Sequence, residues 1–170
     1  YRLKAPLSKE DIRRPKAGDI VYITGNIFTL RDQGHKKALS EKNLKMPSNV
    51  LYHCGPIVRK KGSDWEVLSA GPTTSARMNL VEAEFIRRYG TAAIIGKGGM
   101  NREVADVMKN KCIYLAFPGG CGALAAKHLH VRGVRWLKEL GMAEALWKFD
   151  ADCFGPLIVG IDSRGKSLYF

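Results

Sequence analysis

A chain of 170 residues, 45% of them hydrophobic and 26% charged, has the length and composition of one soluble globular domain, residues 1–170, with a core of its own. No apolar run approaches the roughly 20 residues that span a bilayer, and no apolar segment follows Tyr1-Arg2-Leu3-Lys4-Ala5-Pro6, so this end does not read as a secretory signal. The formal net charge of +12 fits nucleic acid, anionic substrates or an acidic partner, and the missing initiator Met fits a trimmed chain or a domain of a longer one.

In chain order, Asp19 to Thr24 reads as a strand ending at Gly25-Asn26, and Ile27 to Leu30 leads into a helical stretch from Arg31 to Leu39 that Gly34 weakens. Pro47-Ser48-Asn49 breaks the chain before a strand from Val50 to Cys54. The turn Gly62-Ser63-Asp64 leads into a strand from Trp65 to Ser69. After Gly71-Pro72-Thr73-Thr74-Ser75 comes a helix in which Met78, Val81 and Phe85 recur at helical spacing and Gly90 is the stop. The unit recurs as Ala92 to Ile95, the loop Gly96-Lys97-Gly98-Gly99, and a helix capped by Asn101. It recurs again as Cys112 to Phe117, the loop Pro118 to Gly122, and a helix from about Ala123 to His130. Pro156 to Phe170 reads as a hairpin. Strands alternating with helices imply a largely parallel sheet and the hairpins imply antiparallel additions, hence an α/β or mixed α+β fold. In such sheets the loops leaving the C-terminal strand ends share one edge, where sites form.

Three loops carry candidate chemistry. In Gly71 to Met78 the hydroxyls of Thr73, Thr74 and Ser75 lie where a helix begins, a place that favours an anion, and Arg77 can fork onto a carboxylate. The same residues also fit plain helix capping beside a solvated arginine. Gly96-Lys97-Gly98-Gly99 lacks the spacing of a nucleotide-binding loop, yet a lysine held by glycines makes an anion hook; a plain tight turn fits equally well. In Arg31-Asp32-Gln33-Gly34-His35, helical spacing puts Asp32 and His35 on one face, where they could pair for proton transfer or form a solvated charged face.

The cysteines, Cys54, Cys112, Cys121 and Cys153, form no C-x-x-C pair. They read as reduced thiols of a cytoplasmic protein, mostly core, without the local spacing for zinc or an iron–sulfur cluster. Cys121, in its glycine loop before a helix, is the one that could be a reactive thiol. His128 and His130 lie two apart with no acidic neighbour, so no metal site is expected there.

Taken together, Gly18-Asp19, Thr24-Gly25, Arg31-Asp32 with His35, His53 with Gly55-Pro56-Ile57-Val58, Gly71 to Met78, Gly96 to Met100, Gly141-Met142 with Glu144, and Phe154 to Val159 resemble the β subunit of class I iron–sulfur fumarate hydratases and L(+)-tartrate dehydratases. This subunit corresponds to the C-terminal domain of the single-chain forms, and the resemblance covers most of the chain. It implies a swivelling β/β/α-type domain packed on an α subunit that holds a 4Fe–4S cluster through its own three cysteines, so no cofactor or metal is held by this chain. The implied reaction is the reversible hydration of fumarate to (S)-malate, with L(+)-tartrate or a related hydroxy-diacid as the alternative. The implied substrate contacts are Arg31, Arg77 and Lys97 with Thr73, Thr74 and Ser75. The family suggests Thr73 as the base, and the iron as Lewis acid on the leaving hydroxyl. His35 is the other candidate for proton transfer, or it holds Arg31 in place. A basic nucleic-acid-binding module would instead interleave aromatics with surface cations; here the cations that stand out sit singly in glycine loops, so no nucleic acid and no membrane are expected as partners.

Overall fold

The computed structural model describes residues 1–170. In chain order the elements are β1 (Arg2–Ala5), α1 (Lys9–Arg13), β2 (Ile20–Leu30), α2 (Asp32–Ser40), β3 (Val50–His53), β4 (Ile57–Lys61), β5 (Asp64–Ser69), a 3-10 turn (Ser75–Met78), α3 (Asn79–Tyr89), β6 (Ala93–Gly96), α4 (Arg102–Met108), β7 (Ile113–Ala116), α5 (Gly122–Ala126), β8 (Leu129–Arg135), α6 (Leu137–Leu140) and β9 (Leu146–Ile161). This is the mixed α+β fold expected.

Strands β1, β2, β3, β6 and β7 run parallel in one sheet, and the long β9 runs antiparallel to β7, β2 and β8. Because β9 pairs with both β7 and β2, the strands β2, β3, β6, β7 and β9 close on themselves, while β4 and β5 form a separate hairpin. Side chains alternate between two cores, as the period of a strand demands. Val50 and Tyr52, Ala93 and Ile95, and Ile113 and Leu115 enter one core; Leu51, Ile94 and Tyr114 enter the other, beneath α3 and α4 with Phe85, Ile86, Val104 and Met108.

Local signals set the helix ends. The Asn101 side chain accepts from the Val104 N–H at 3.0 Å to start α4, and Gly90, in the left-handed region at φ +64°, stops α3. Several boundaries differ from the sequence reading. β2 does not end at Gly25: this residue forms a bulge at φ +101°, and β1 packs so close that a Cβ there would stand 2.6 Å from the Ala5 carbonyl oxygen. The helix expected to reach His130 ends at Ala126, because Leu129 and His130 pair with Ala151 and Asp150 of β9. The C-terminal hairpin is reduced to a turn and one bridge, Ile161 to Ser167.

The parallel strands end together at Leu30, His53, Gly96 and Ala116, so the loops beginning at Arg31, Cys54, Lys97 and Phe117 share one edge.

Candidate active site

Backbone pairing brings two of the expected loops into contact. The Thr73 N–H donates to the His53 carbonyl at 2.7 Å and the Ser75 N–H to the Lys97 carbonyl at 2.9 Å, so Thr74 and Lys97 bridge in parallel. Gly98 and Gly99, at φ +78° and +75°, turn the chain away behind Lys97. Lys97 is exposed, and its ammonium passes over Gly119, where a Cβ would stand 3.6 Å away. Arg77 is exposed on the 3-10 turn. Neither Arg77 nor Lys97 has a carboxylate partner in the chain. Thr73 and Thr74 are half-buried, and Thr74, at the N-cap position, makes no side-chain cap bond.

Arg31 leaves the end of β2 and lies along Gly55, where a Cβ would fall 2.8 Å from its Cδ and 2.9 Å from its Nη1. Glu144 holds this corner: one oxygen accepts from the Gln33 N–H at 2.9 Å and the other faces Arg31 Nε at 3.5 Å. A carboxylate on the first N–H groups of α2 suits the positive end of that helix.

The other two expected residues lie beneath the edge. His35 is fully buried and does not pair with Asp32 as its helical spacing suggested. Its Nδ1 meets the Arg31 carbonyl at 2.8 Å and its Nε2 the Glu82 carboxylate at 3.2 Å. Glu82 points inward from α3, and Oε2 also accepts from His53 Nε2 at 2.9 Å. Ser75 is fully buried as well, so its hydroxyl supports the loop from below instead of lining the edge beside Thr73 and Thr74. It lies 2.9 Å from His53 Nδ1 and 2.9 Å from the Tyr114 hydroxyl, which accepts from the Gly99 N–H at 3.2 Å. A methyl group at Gly96 would overlap the Ser75 oxygen. Gly96→Ala is therefore expected to lower stability by about 1–3 kcal/mol, the usual cost of overpacking, read as a drop in the urea midpoint with an unchanged slope.

Electrostatics follow from this burial. Burial pushes the Glu82 pKa up, but the two imidazoles outweigh it and hold the carboxyl down to about 2. Burial pushes both imidazoles down; His35, with the Glu82 carboxylate and the Arg31 carbonyl around it, ends above its ordinary value, and His53 ends below. Burial likewise raises the Tyr114 hydroxyl far above the physiological range.

Sequence pattern alone assigns no role to His53, Glu82 or Tyr114. A signal for Glu82 was available: it falls on the apolar stripe of α3 with Met78, Phe85 and Ile86, where an unpaired carboxylate is not tolerated.

The cysteines do not form a cluster site. Cys54 and Cys112 are buried in different cores, Cys121 is half-buried at the start of α5, and Cys153 accepts from Arg2 Nη1 at 3.0 Å on β9. The single place where three side chains of metal-ligating type converge is His35, His53 and Glu82, which contains no thiol. An iron–sulfur cluster therefore does not fit the residues of this chain. No helix is long and apolar enough to cross a membrane.

Comparison with known proteins identifies the family. The family model described as "Fumarase C-terminus" matches residues 2–170. A relative from Methanocaldococcus jannaschii, named "Putative L(+)-tartrate dehydratase subunit beta", is 47% identical over 96% of this chain and 88% of its own length. The L(+)-tartrate dehydratase subunit beta of Escherichia coli is 41% identical over 98% of this chain and 85% of its own. A Geobacillus stearothermophilus protein named "Putative fumarate hydratase class I" is 37% identical over 98% of this chain, which spans 33% of that longer relative. The chain thus belongs to the fumarase C-terminal family of hydro-lyases, as a member of the β-subunit type found in class I fumarate hydratases and tartrate dehydratases.

Proposed function

We propose that this chain is the substrate-gripping β subunit of an iron–sulfur hydro-lyase that adds water reversibly to a four-carbon dicarboxylate, fumarate to (S)-malate in the first instance. The observation that carries the reading is one strand edge holding Arg31, Lys97 and, a turn from Thr74, Arg77, with no carboxylate to neutralise the last two. A dianion is the natural partner of that arrangement. Each charged hydrogen bond to a carboxylate contributes roughly 1.5–3 kcal/mol, so these cations suffice to hold it.

Within this reading Arg31, Arg77 and Lys97 take the substrate carboxylates, and Thr73 and Thr74 face the bound carbon skeleton. Thr73 handles the proton on the carbon beside a carboxylate. A threonine hydroxyl is a poor base unaided, so the neighbouring cations and a carboxylate of the partner must activate it. The negative charge that builds on the adjacent carboxylate is met by fixed cations, which need no reorganisation as it develops. On this reading the 4Fe–4S group belongs to an α subunit, which the scattered cysteines of this chain support, and chemistry at the leaving hydroxyl falls to that partner. The "subunit beta" in the names of two relatives supports such a hetero-oligomer. Those names also favour a second reading, dehydration of L(+)-tartrate by the same grip.

The test is to assemble the purified chain with a cluster-bearing α subunit and assay fumarate, (S)-malate and L(+)-tartrate. Activity on one diacid only in the assembled state is expected; full activity of either chain alone, or none on any diacid, overturns the reading. In the active assembly Arg77→Lys loses the two-pronged contact and is expected to raise KM roughly ten- to a hundred-fold with kcat little changed. An unchanged KM removes Arg77 from the substrate.

A further inference from the structure

We infer that the buried Glu82 carboxylate, with His35 and His53 against it, is a positioning device that ties the Arg31, Thr73–Ser75 and Gly98–Gly99 turns to one anchor through an ordered run of donated protons. The inference rests on the reading of the edge as a dicarboxylate site and names what keeps that site in shape.

The ends of the run determine the order of protons. The Arg31 carbonyl can only accept, so His35 Nδ1 carries a proton. The Gly99 amide can only donate, so the Tyr114 oxygen accepts there, and the one other partner of that hydroxyl, the Ser75 oxygen, is where its own hydrogen goes. Ser75, already accepting, donates to His53 Nδ1, which leaves the His53 proton on Nε2, aimed at Glu82 Oε2. That oxygen also faces His35 Nε2, whose ring already bears a proton on Nδ1. The contact is repulsive unless a proton lies between the two. With Glu82 held ionised by both rings, the proton between Oε2 and His35 Nε2 belongs on the ring, which favours an imidazolium at His35, while burial favours a neutral ring at His53. These protons account for the contacts of Glu82 Oε2 and of both rings, with His35 Nε2 held as an ion-pair contact at 3.2 Å and Glu82 Oε1 left buried without a hydrogen-bond partner.

Other groups against the run leave this order intact. Asp32 lies beside His35 with Oδ1 buried and unbonded, adding negative charge that favours the imidazolium. The Phe85 ring packs on His35 at 4.7 Å and the Tyr169 ring on Tyr114 at 5.9 Å, both without charge, and the buried Cys112 thiol is held protonated. Through the run, Arg31 is fixed at its carbonyl, Ser75 at its hydroxyl and the lysine loop at its Gly99 amide. His35, His53, Glu82, Ser75 and Tyr114 are positioning residues; none of them reaches the open edge.

The test reads ring protonation and kinetics separately. Imidazole nitrogen NMR of the labelled chain, with His35 and His53 assigned by single His→Gln variants, is expected to show His35 protonated on both nitrogens and His53 neutral with its proton on Nε2. Glu82→Gln keeps the shape and removes the charge; because both rings meet the same oxygen, the amide atom placed there serves only one of them, and His35, without its ion-pair partner, should turn neutral. Two neutral rings in the wild type, or stoichiometric uptake of added Zn²⁺ that abolishes the imidazolium, overturns the proton order. In the active assembly, Tyr114→Phe and Ser75→Ala are each expected to raise KM for the dicarboxylate about ten-fold, the worth of one lost buried hydrogen bond, with a smaller change in kcat. A residue with a merely structural role would lower the melting temperature and leave KM in place, and that result overturns positioning while the assembled wild type stays active. A wild type inactive on every diacid rejects the site itself, and the positioning claim with it.

Discussion

Replacing Glu82 by alanine is expected to cost about 3–5 kcal/mol of stability, the usual penalty for removing one member of a buried ion pair. For a chain of this size that is a fall of roughly 6–20 °C in melting temperature. Three losses act together: His35 loses its ion-pair partner, His53 Nε2–H loses its acceptor, and the buried side chain leaves a void. Glu82→Gln should cost less, because the amide keeps the shape and leaves no void, although the atom at the shared position can serve only one of the two rings. Calorimetry of the two variants beside the wild type checks the order; a loss below about 1 kcal/mol for the alanine variant contradicts a buried ionised pair.

The same pair gives the chain a pH signature. The folded pKa of Glu82, about 2, lies below its ordinary 4.5, so its contribution is complete above pH 4.5 and drains away as pH falls towards 2. His35 works in the opposite direction. Its folded value is raised, so its contribution is complete below the ordinary 6.5 and is lost as pH rises through the folded pKa. His53, lowered by burial, opposes folding once the unfolded ring protonates below 6.5. Glu82→Ala removes the acid-side loss due to Glu82, and urea midpoints between pH 2 and 5 should fall less steeply in the variant than in the wild type.

The strand–glycine–helix units were legible in the sequence because their signals are local. The apolar run of β6, the glycines after it, the Asn101 cap and the Gly90 stop each fix their own neighbourhood. That was enough to place Arg31 and Lys97 at the C-terminal edge of a parallel sheet, whereas Thr73 follows the separate β4–β5 hairpin and reaches that edge by pairing with the His53 and Lys97 backbone. Features that depend on a distant partner were not legible. Leu129 to Arg135 form a strand only because β9 lies alongside, and Gly25 continues a strand only because β1 covers it. The support beneath the edge was hidden for the same reason. His35 and Asp32 share a helix face, so local spacing paired them, whereas Glu82, 47 residues on, captures the ring through α3 packing. Ser75 reads as one of three loop hydroxyls until the approach of Tyr114 and His53 shows it facing inward.

That inward turn leaves few hydroxyls free for proton transfer. With Ser75 spent on His53 and His35 sealed as half of an ion pair, Thr73 and Thr74 are the loop hydroxyls left near the edge, and Thr73 is the one whose N–H is pinned to the His53 carbonyl. Pinning fixes where its side chain starts, which a proton-transfer group requires. Thr73→Ala in the assembled enzyme is therefore expected to lower kcat by about 10²–10⁴, the range for a positioned acid or base, with only a modest change in KM. Thr73→Ser keeps the hydroxyl and should recover most of the rate. Exchange of the carbon-bound proton of the hydroxy-diacid with solvent separates this role from general damage: the alanine variant should lose exchange in step with turnover. If Thr73→Ala turns over at near-normal rate, proton abstraction belongs to the partner subunit, and this chain contributes grip and charge alone.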